Sequence, residues 1–208
     1  MLASKALEMI NDNRIDELKA ALQDELFTET LRKRPNAKKR YTAMKRYLKT
    51  ISSSRPILTK PCEIEFEGEK YNSITNSFSL VLTKESCGEI EMCSEPEHYP
   101  NVAKLVSLDG ELDKIDFNRV LAEAKSKGYR FGKNAINKND FLMKYKDGYY
   151  RMGLVDVTYG VLDEGREIDV YFSDKFKPLN IQNDLGIGVI LPIRYSGDTF
   201  GDCVVIEV

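Results

Sequence analysis

The hydrophobic periodicity of this chain changes at Ser52-Ser53-Ser54-Arg55-Pro56, and that change restricts the fold more than any composition figure. Before it, Leu7, Ile10, Ile15, Leu18, Leu22 and Leu26 recur at helical spacing, which predicts helix across residues 4–33. Asn11-Asp12-Asn13 interrupts the pattern, so a short helix precedes a longer one. Asp16 and Glu17 in the first turn of the longer helix, and Arg32-Lys33-Arg34 at its end, suit the helix dipole. Pro35 stops it. Residues 37–51 then form a third helix, with Tyr41, Met44, Tyr47, Leu48 and Ile51 on one face and Lys and Arg on the others.

After the switch the chain reads as antiparallel strands interrupted by helix. Glu63 to Phe66 alternates, Gly68 marks a turn, and Tyr71 to Leu82 is rich in β-formers around Asn76-Ser77. Residues 86–101 read as loop, and Val102 to Leu105 as a short helical turn or strand. Asp116 opens a helix carrying Phe117, Val120, Leu121 and Ala124, with Gly128 as its C-terminal cap. Asp147-Gly148 between two apolar runs predicts a hairpin. Leu154 to Leu162 has the Val and Tyr content of a strand, although Asp163-Glu164-Gly165 after it also suits a short helix. Ile168 to Phe172, Leu179 to Ile181, Gly188 to Ile193 and Cys203 to Val208 are the remaining strands. Single strands do not alternate regularly with helices, so the class is α+β and not doubly wound α/β.

Charge is distributed unevenly. The stretch between Thr30 and Cys62 holds Arg32, Lys33, Arg34, Lys38, Lys39, Arg40, Lys45, Arg46, Lys49, Arg55 and Lys60 and no acid, while the whole chain has 31 basic and 33 acidic residues. Clustered cations repel unless an anion relieves them, and nucleic acid is the commonest such partner. The nucleic-acid candidates are Arg32, Lys33, Arg34, Lys38, Lys39, Arg40, Lys45, Arg46 and Lys49. Lys125, Lys127, Arg130 and Lys133 extend the track, and Tyr41 and Tyr47 are either core residues or stacking platforms for bases. The competing reading is a basic arm that docks on the protein's own acidic body.

Other chemistries find little support. Cys62, Cys87, Cys93 and Cys203 are widely spaced, and Cys87, Cys93 and His98, the single histidine, lack a fourth ligand of the usual kind. No metal and no cofactor is expected. No phosphate loop or nucleophile elbow is present. No stretch reaches the roughly 18 apolar residues of a membrane span. The N-terminus lacks the marks of a signal peptide, so a cytoplasmic location is expected.

One stretch, Tyr47 to Leu82, reads YLKTISSSRPILTKPCEIEFEGEKYNSITNSFSLVL. It resembles the bacterial sliding clamp, the processivity factor of the replicative DNA polymerase, in which a helix is followed by an "RPIL" lead-in, three strands and a "TD" element. A second stretch, Asp169 to Tyr195, reads DVYFSDKFKPLNIQNDLGIGVILPIRY. Pro178-Leu179-Asn180-Ile181 and Leu191-Pro192-Ile193-Arg194-Tyr195 stand where clamps have a "P-x-x-I" strand and a closing "MPMRL", and the Asp116–Lys127 helix stands where the second helix of a clamp domain would be. Asn76 replaces the family's Asp. The resemblance covers residues 37–208 and implies a clamp-like domain behind an N-terminal helical extension, residues 1–36.

The same resemblance implies a non-enzymatic accessory protein from a phage or mobile element. It would bind DNA, duplex or single-stranded, through its basic helix, with a polymerase or other replication protein as a possible partner. It also implies a peptide site at Leu191, Pro192 and Ile193, and allows a homo-oligomer: a ring takes about six copies or does not form. Two further readings stand beside this one. The Ile15–Leu26 stripe suits a protein-interaction module that binds no DNA. Glu65, Glu67 and Lys70, or Glu167, Asp169 and Lys175, suit a metal-dependent nuclease, with Glu65 and Glu67 on one strand face.

Overall fold

The computed structural model describes residues 7, 9–12, 14–33, 36–51, 54–132, 138–195 and 203–208. The expectations for residues 4–6, Asn13, Arg34, Pro35, Ser52-Ser53 and Lys133 lie outside the described residues. The chain divides into two compact units, Met1–Lys38 and Lys39–Val208. The first contains helix α1 (Ile15–Lys33), which has Asp16 and Glu17 in its first turn. Leu18 is buried on it, and Ile15, Leu22 and Leu26 are exposed.

Helix α2 (Ala37–Leu48) leads into the second unit. A 3-10 turn at Pro56–Thr59 follows, with its proline at the first position, where the missing N–H costs nothing. Strands β1 (Cys62–Phe66), β2 (Glu69–Thr75) and β3 (Ser79–Thr83) come next, then 3-10 turns at Pro96–His98 and Val102–Leu105. The rest is β4 (Glu111–Ile115), α3 (Phe117–Ser126), β5 (Phe141–Tyr145), β6 (Gly148–Arg151), α4 (Met152–Leu162), β7 (Ile168–Phe172), β8 (Leu179–Asn183), β9 (Gly186–Ile190) and β10 (Val204–Glu207). The class is α+β. A seven-stranded sheet runs in the order β1-β2-β3-β9-β8-β7-β4 and a three-stranded sheet in the order β10-β5-β6. Every pairing in the large sheet is antiparallel. In the small sheet β10 runs parallel to β5.

The large sheet contains the same unit twice. α2 precedes the meander β1-β2-β3, and α4 precedes the meander β7-β8-β9. The two meanders meet where β3 pairs with β9, with Val81 opposite Gly188. The helices run antiparallel past each other. Lys39 meets Asp163 near one end, Ala43 lies against Gly160 in the middle, and Arg46 meets Asp156 near the other end. A Cβ at Gly160 would lie 3.1 Å from the Ala43 Cβ, so glycine sets how closely the two helices approach.

Three features correct or complete the sequence reading. The segment 154–162, open between strand and short helix in the sequence, is helix. Met152, Leu154, Val155, Val157, Tyr159, Val161 and Leu162 are all buried, as are Asp156 and Thr158, and a largely apolar helix buried on every side belongs inside a core. This helix, and not the one after Asp116, introduces the second meander. Second, Glu111–Ile115 is a strand at the sheet edge with four of its five residues exposed. Third, Glu67 lies past the end of β1 in the β1–β2 turn, with φ 52°, so it does not share a strand face with Glu65.

Candidate nucleic-acid interface

Helix α2 carries most of the predicted cations, and packing sorts them by face. Arg40, Met44 and Tyr47 point inward and are 3%, 1% and 0% exposed. The Tyr47 hydroxyl lies 2.6 Å from the Ser79 Oγ on β3, which pins the helix to the sheet. Ala43 and Arg46 face α4. Lys38, Thr42, Lys45 and Lys49 are exposed, and their spacing of three to four residues places them on one stripe. Lys49 continues the helix by one backbone bond to the Lys45 carbonyl. The Lys45 Nζ lies 4.3 Å from the Tyr41 ring centroid.

Three of the cations meet acids of the same unit. The Arg40 Nη2 donates to the Glu85 Oε1 at 2.9 Å and its Nη1 to the Asp163 carbonyl at 3.1 Å. Both side chains of that pair are shielded from water, so Arg40 is not presented to an external phosphate. Lys39 donates to Asp163 and remains 61% exposed. The Arg46 Nη2 donates to the Asp156 Oδ1 at 2.7 Å, and the guanidinium stacks 4.4 Å from the Phe131 centroid. Asp163 also accepts from the Tyr159 hydroxyl at 3.0 Å and the Gly165 N–H at 2.8 Å. Burial alone would raise its pKa, but Lys39, the Gly165 amide and the Tyr159 hydroxyl together hold the carboxyl below its ordinary range.

The other predicted positions scatter. Arg32 and Lys33 belong to the last turn of α1, in the other unit, and their side chains and the whole of Arg34 lie outside the described residues. Tyr41 is half-buried, and Tyr47 is a core residue. Leu191, Pro192 and Ile193 follow β9 and are half-buried. The Leu191 N–H donates to the Phe78 carbonyl at 3.0 Å, and Ile193 bridges to Tyr149. His98 bonds Glu95 at 3.0 Å, which raises its pKa, and Cys87 is buried, which pushes its thiol pKa up to about 12. Among the described residues no group of three or more His, Cys, Asp or Glu is placed to hold a metal ion. Among them, too, no helix is long and apolar enough to cross a membrane.

Sequence reasoning missed the acids that receive the cations. A signal was present: Asp156 interrupts the apolar run Leu154-Val155-Asp156-Val157, and Asp163 ends Val161-Leu162. An acid set among core residues needs a hydrogen-bonding or charged partner.

No family model matches this sequence, and no curated protein does. Among solved structures the chain is similar to a DNA polymerase sliding clamp from Bacillus subtilis, at 14% identity and a TM-score of 0.48, covering 75% of this chain and 63% of that one. It is also similar to a protein assigned as a DNA polymerase III beta subunit from Eubacterium rectale, at 9% identity and a TM-score of 0.40, covering 76% and 64%. The chain thus spans less than two thirds of the length of each.

Proposed function

We propose that this protein is a nucleic-acid-binding accessory protein of the processivity-factor kind, holding the phosphate backbone along the exposed stripe of α2. The observation that carries the reading is the stripe itself. Lys45 and Lys49 face solvent on a helix whose opposite face is fixed to a sheet. A rigid row of cations with no base-reading groups suits contact with phosphates irrespective of sequence. Lys39 and Arg46 flank the stripe. Two phosphate contacts give a log–log salt slope near −1.8 on duplex DNA, at roughly 0.9 per contact.

The test is fluorescence anisotropy of short labelled duplex and single-stranded oligonucleotides across a salt series, on the wild type and on Lys45→Glu/Lys49→Glu. Both substitutions are exposed, so folding is expected to survive, which circular dichroism checks. The expected result is salt-sensitive binding that the double variant loses. Equal affinity in the two proteins, or no binding at low salt, would refute the reading.

The pairing of Lys39, Arg40 and Arg46 with internal acids favours a second reading. In it the basic segment serves to dock α2 on its own body, and the exposed Ile15, Leu22 and Leu26 of α1 meet a protein partner. Absence of nucleic-acid binding, together with concentration-dependent association that Leu22→Asp/Leu26→Asp abolishes, would support it.

A further inference from the structure

Beside the α2 stripe the molecule has an open cleft of about 450 Å³, lined by Arg46, Lys125, Ser126, Tyr129, Arg130, Phe131 and Asp156. Two of its guanidinium groups are fixed in place. Arg46 is held by its stack on Phe131 and its bond to Asp156. Arg130 is held by its Nη1, which donates to the Lys125 carbonyl at 3.0 Å and the Tyr129 carbonyl at 2.7 Å beyond the end of α3. Each keeps donors that have no protein partner among the described residues: the Nη1 of Arg46, and the Nε and Nη2 of Arg130. Lys125 adds an exposed ammonium.

The one acid in the cleft does not oppose an anion with its full charge. Its Oδ1 accepts from Arg46 and its Oδ2 from the Tyr129 hydroxyl at 3.1 Å. The walls are aromatic as well as cationic, and the volume exceeds what a bare inorganic anion fills.

We propose that this cleft binds the phosphate group of a nucleotide, with Arg46 and Arg130 as fixed forks and Lys125 as a mobile third cation. Preformed guanidinium forks match phosphate oxygens in geometry as well as charge. An adjoining hollow of about 170 Å³ shares Tyr129 and Arg130 and adds Phe141 and the Lys138–Asp140 pair, 3.5 Å apart, which leaves room for the sugar and base. The phosphate has two possible sources, a free nucleotide or one nucleotide of a strand lying on α2; the second source rests on the function proposed above.

The experiment titrates the full chain with AMP, adenosine and inorganic phosphate by calorimetry, and with a labelled oligonucleotide by anisotropy. The proteins are the wild type, Lys125→Gln/Arg130→Gln, the milder Lys125→Gln, and Lys45→Glu/Lys49→Glu. The expected result is AMP binding that adenosine does not reproduce and that the cleft double variant loses. Oligonucleotide affinity should also fall about tenfold in that variant, with the salt slope shallower by about 2. Lys125→Gln, which leaves the Arg130 contacts intact, should give about half that change in slope.

AMP binding with no oligonucleotide binding supports the cleft, makes the free nucleotide its source and refutes the α2 reading. Oligonucleotide binding that Lys45→Glu/Lys49→Glu loses and both cleft variants keep overturns the cleft alone. Adenosine binding as tight as AMP overturns phosphate recognition, and no binding of any probe overturns both proposals.

Discussion

Arg40 sits in the middle of a cationic helix and is nevertheless 3% exposed, with the Glu85 carboxylate, itself 6% exposed, against it. Such a pair gains little over an apolar replacement, but losing one member strands a buried charge. Glu85→Leu alone should therefore cost about 3–5 kcal/mol, and Arg40→Met/Glu85→Leu should recover most of it, as read from urea unfolding. Equal losses in the single and double variants would show that packing, not charge, holds the site. Asp163 behaves differently because its partner is exposed. Its depressed pKa means that its stabilisation is fully present above the unfolded value, near 3.9, and is lost as pH falls through the lower folded value. Melting temperatures of wild type and Asp163→Asn should thus differ at neutral pH, with a gap that shrinks as pH falls below the unfolded value. A gap that does not shrink on acidification would mean that the carboxylate charge contributes nothing. At Asn76 the side-chain oxygen accepts from the Phe78 and Ser79 N–H groups at 3.0 and 2.9 Å. A carboxylate could accept the same two bonds, so the exchange for Asp leaves this turn chemically possible.

The two helix-plus-meander elements depend on glycine at their contacts. A Cβ on Gly188 would come within 2.7 Å of the Ile181 Cγ1 and the Thr158 Cγ2, so α4 lies on β9 only because that position is bare. Gly160→Leu should push α2 off α4 and cost roughly 1–3 kcal/mol, the usual range for overpacking. Because Arg46 and Asp156 bridge the same contact, oligonucleotide affinity should change with it; wild-type stability in this variant would show that the helices can part freely. Elements with local chemistry were legible in the sequence. Asp116 accepts from the Arg119 N–H as an N-cap, and Gly128 takes φ 101° at the other end of α3. The α2 stripe was legible too, because exposed lysines keep helical spacing. α4 was only half legible, since a helix buried on every side has no exposed polar face to reveal its period and Val and Tyr favour strand equally well. β4 was not, because an edge strand with Glu111, Asp113 and Lys114 in water lacks a buried alternation, and such charges are how edges resist unwanted pairing. The acids at positions 85, 156 and 163 acquire their partners only through tertiary packing, which is why a cation count overstated the charge available to a ligand.

At the level of the whole molecule, the unit boundary after Lys38 falls within the first turn of α2. Ala43, Met44 and Tyr47 of that helix share one core cluster with Ile74 and Val81 of the first meander and with Tyr159 and Val161 of α4. The second unit is therefore not a sheet to which a basic helix has been added; α2 closes its core as α4 does. Removing α2 empties the space of Met44 and Tyr47, each worth about 2–5 kcal/mol as a large-to-small change, and strands Glu85, Asp156 and Asp163 without their cations. The sum reaches the whole stability of an ordinary domain, about 5–15 kcal/mol. A fragment spanning residues 36–208 should unfold in one cooperative transition. A fragment spanning 50–208 should not fold, giving no sigmoidal urea curve and fast proteolysis. If 50–208 melted cooperatively, α2 would be an appended arm, and a basic segment evolved only to dock on its own body would lose its structural reason. If only 36–208 folds, the inner face of α2 is accounted for by the core, and the exposed lysine stripe is what remains for a ligand to explain.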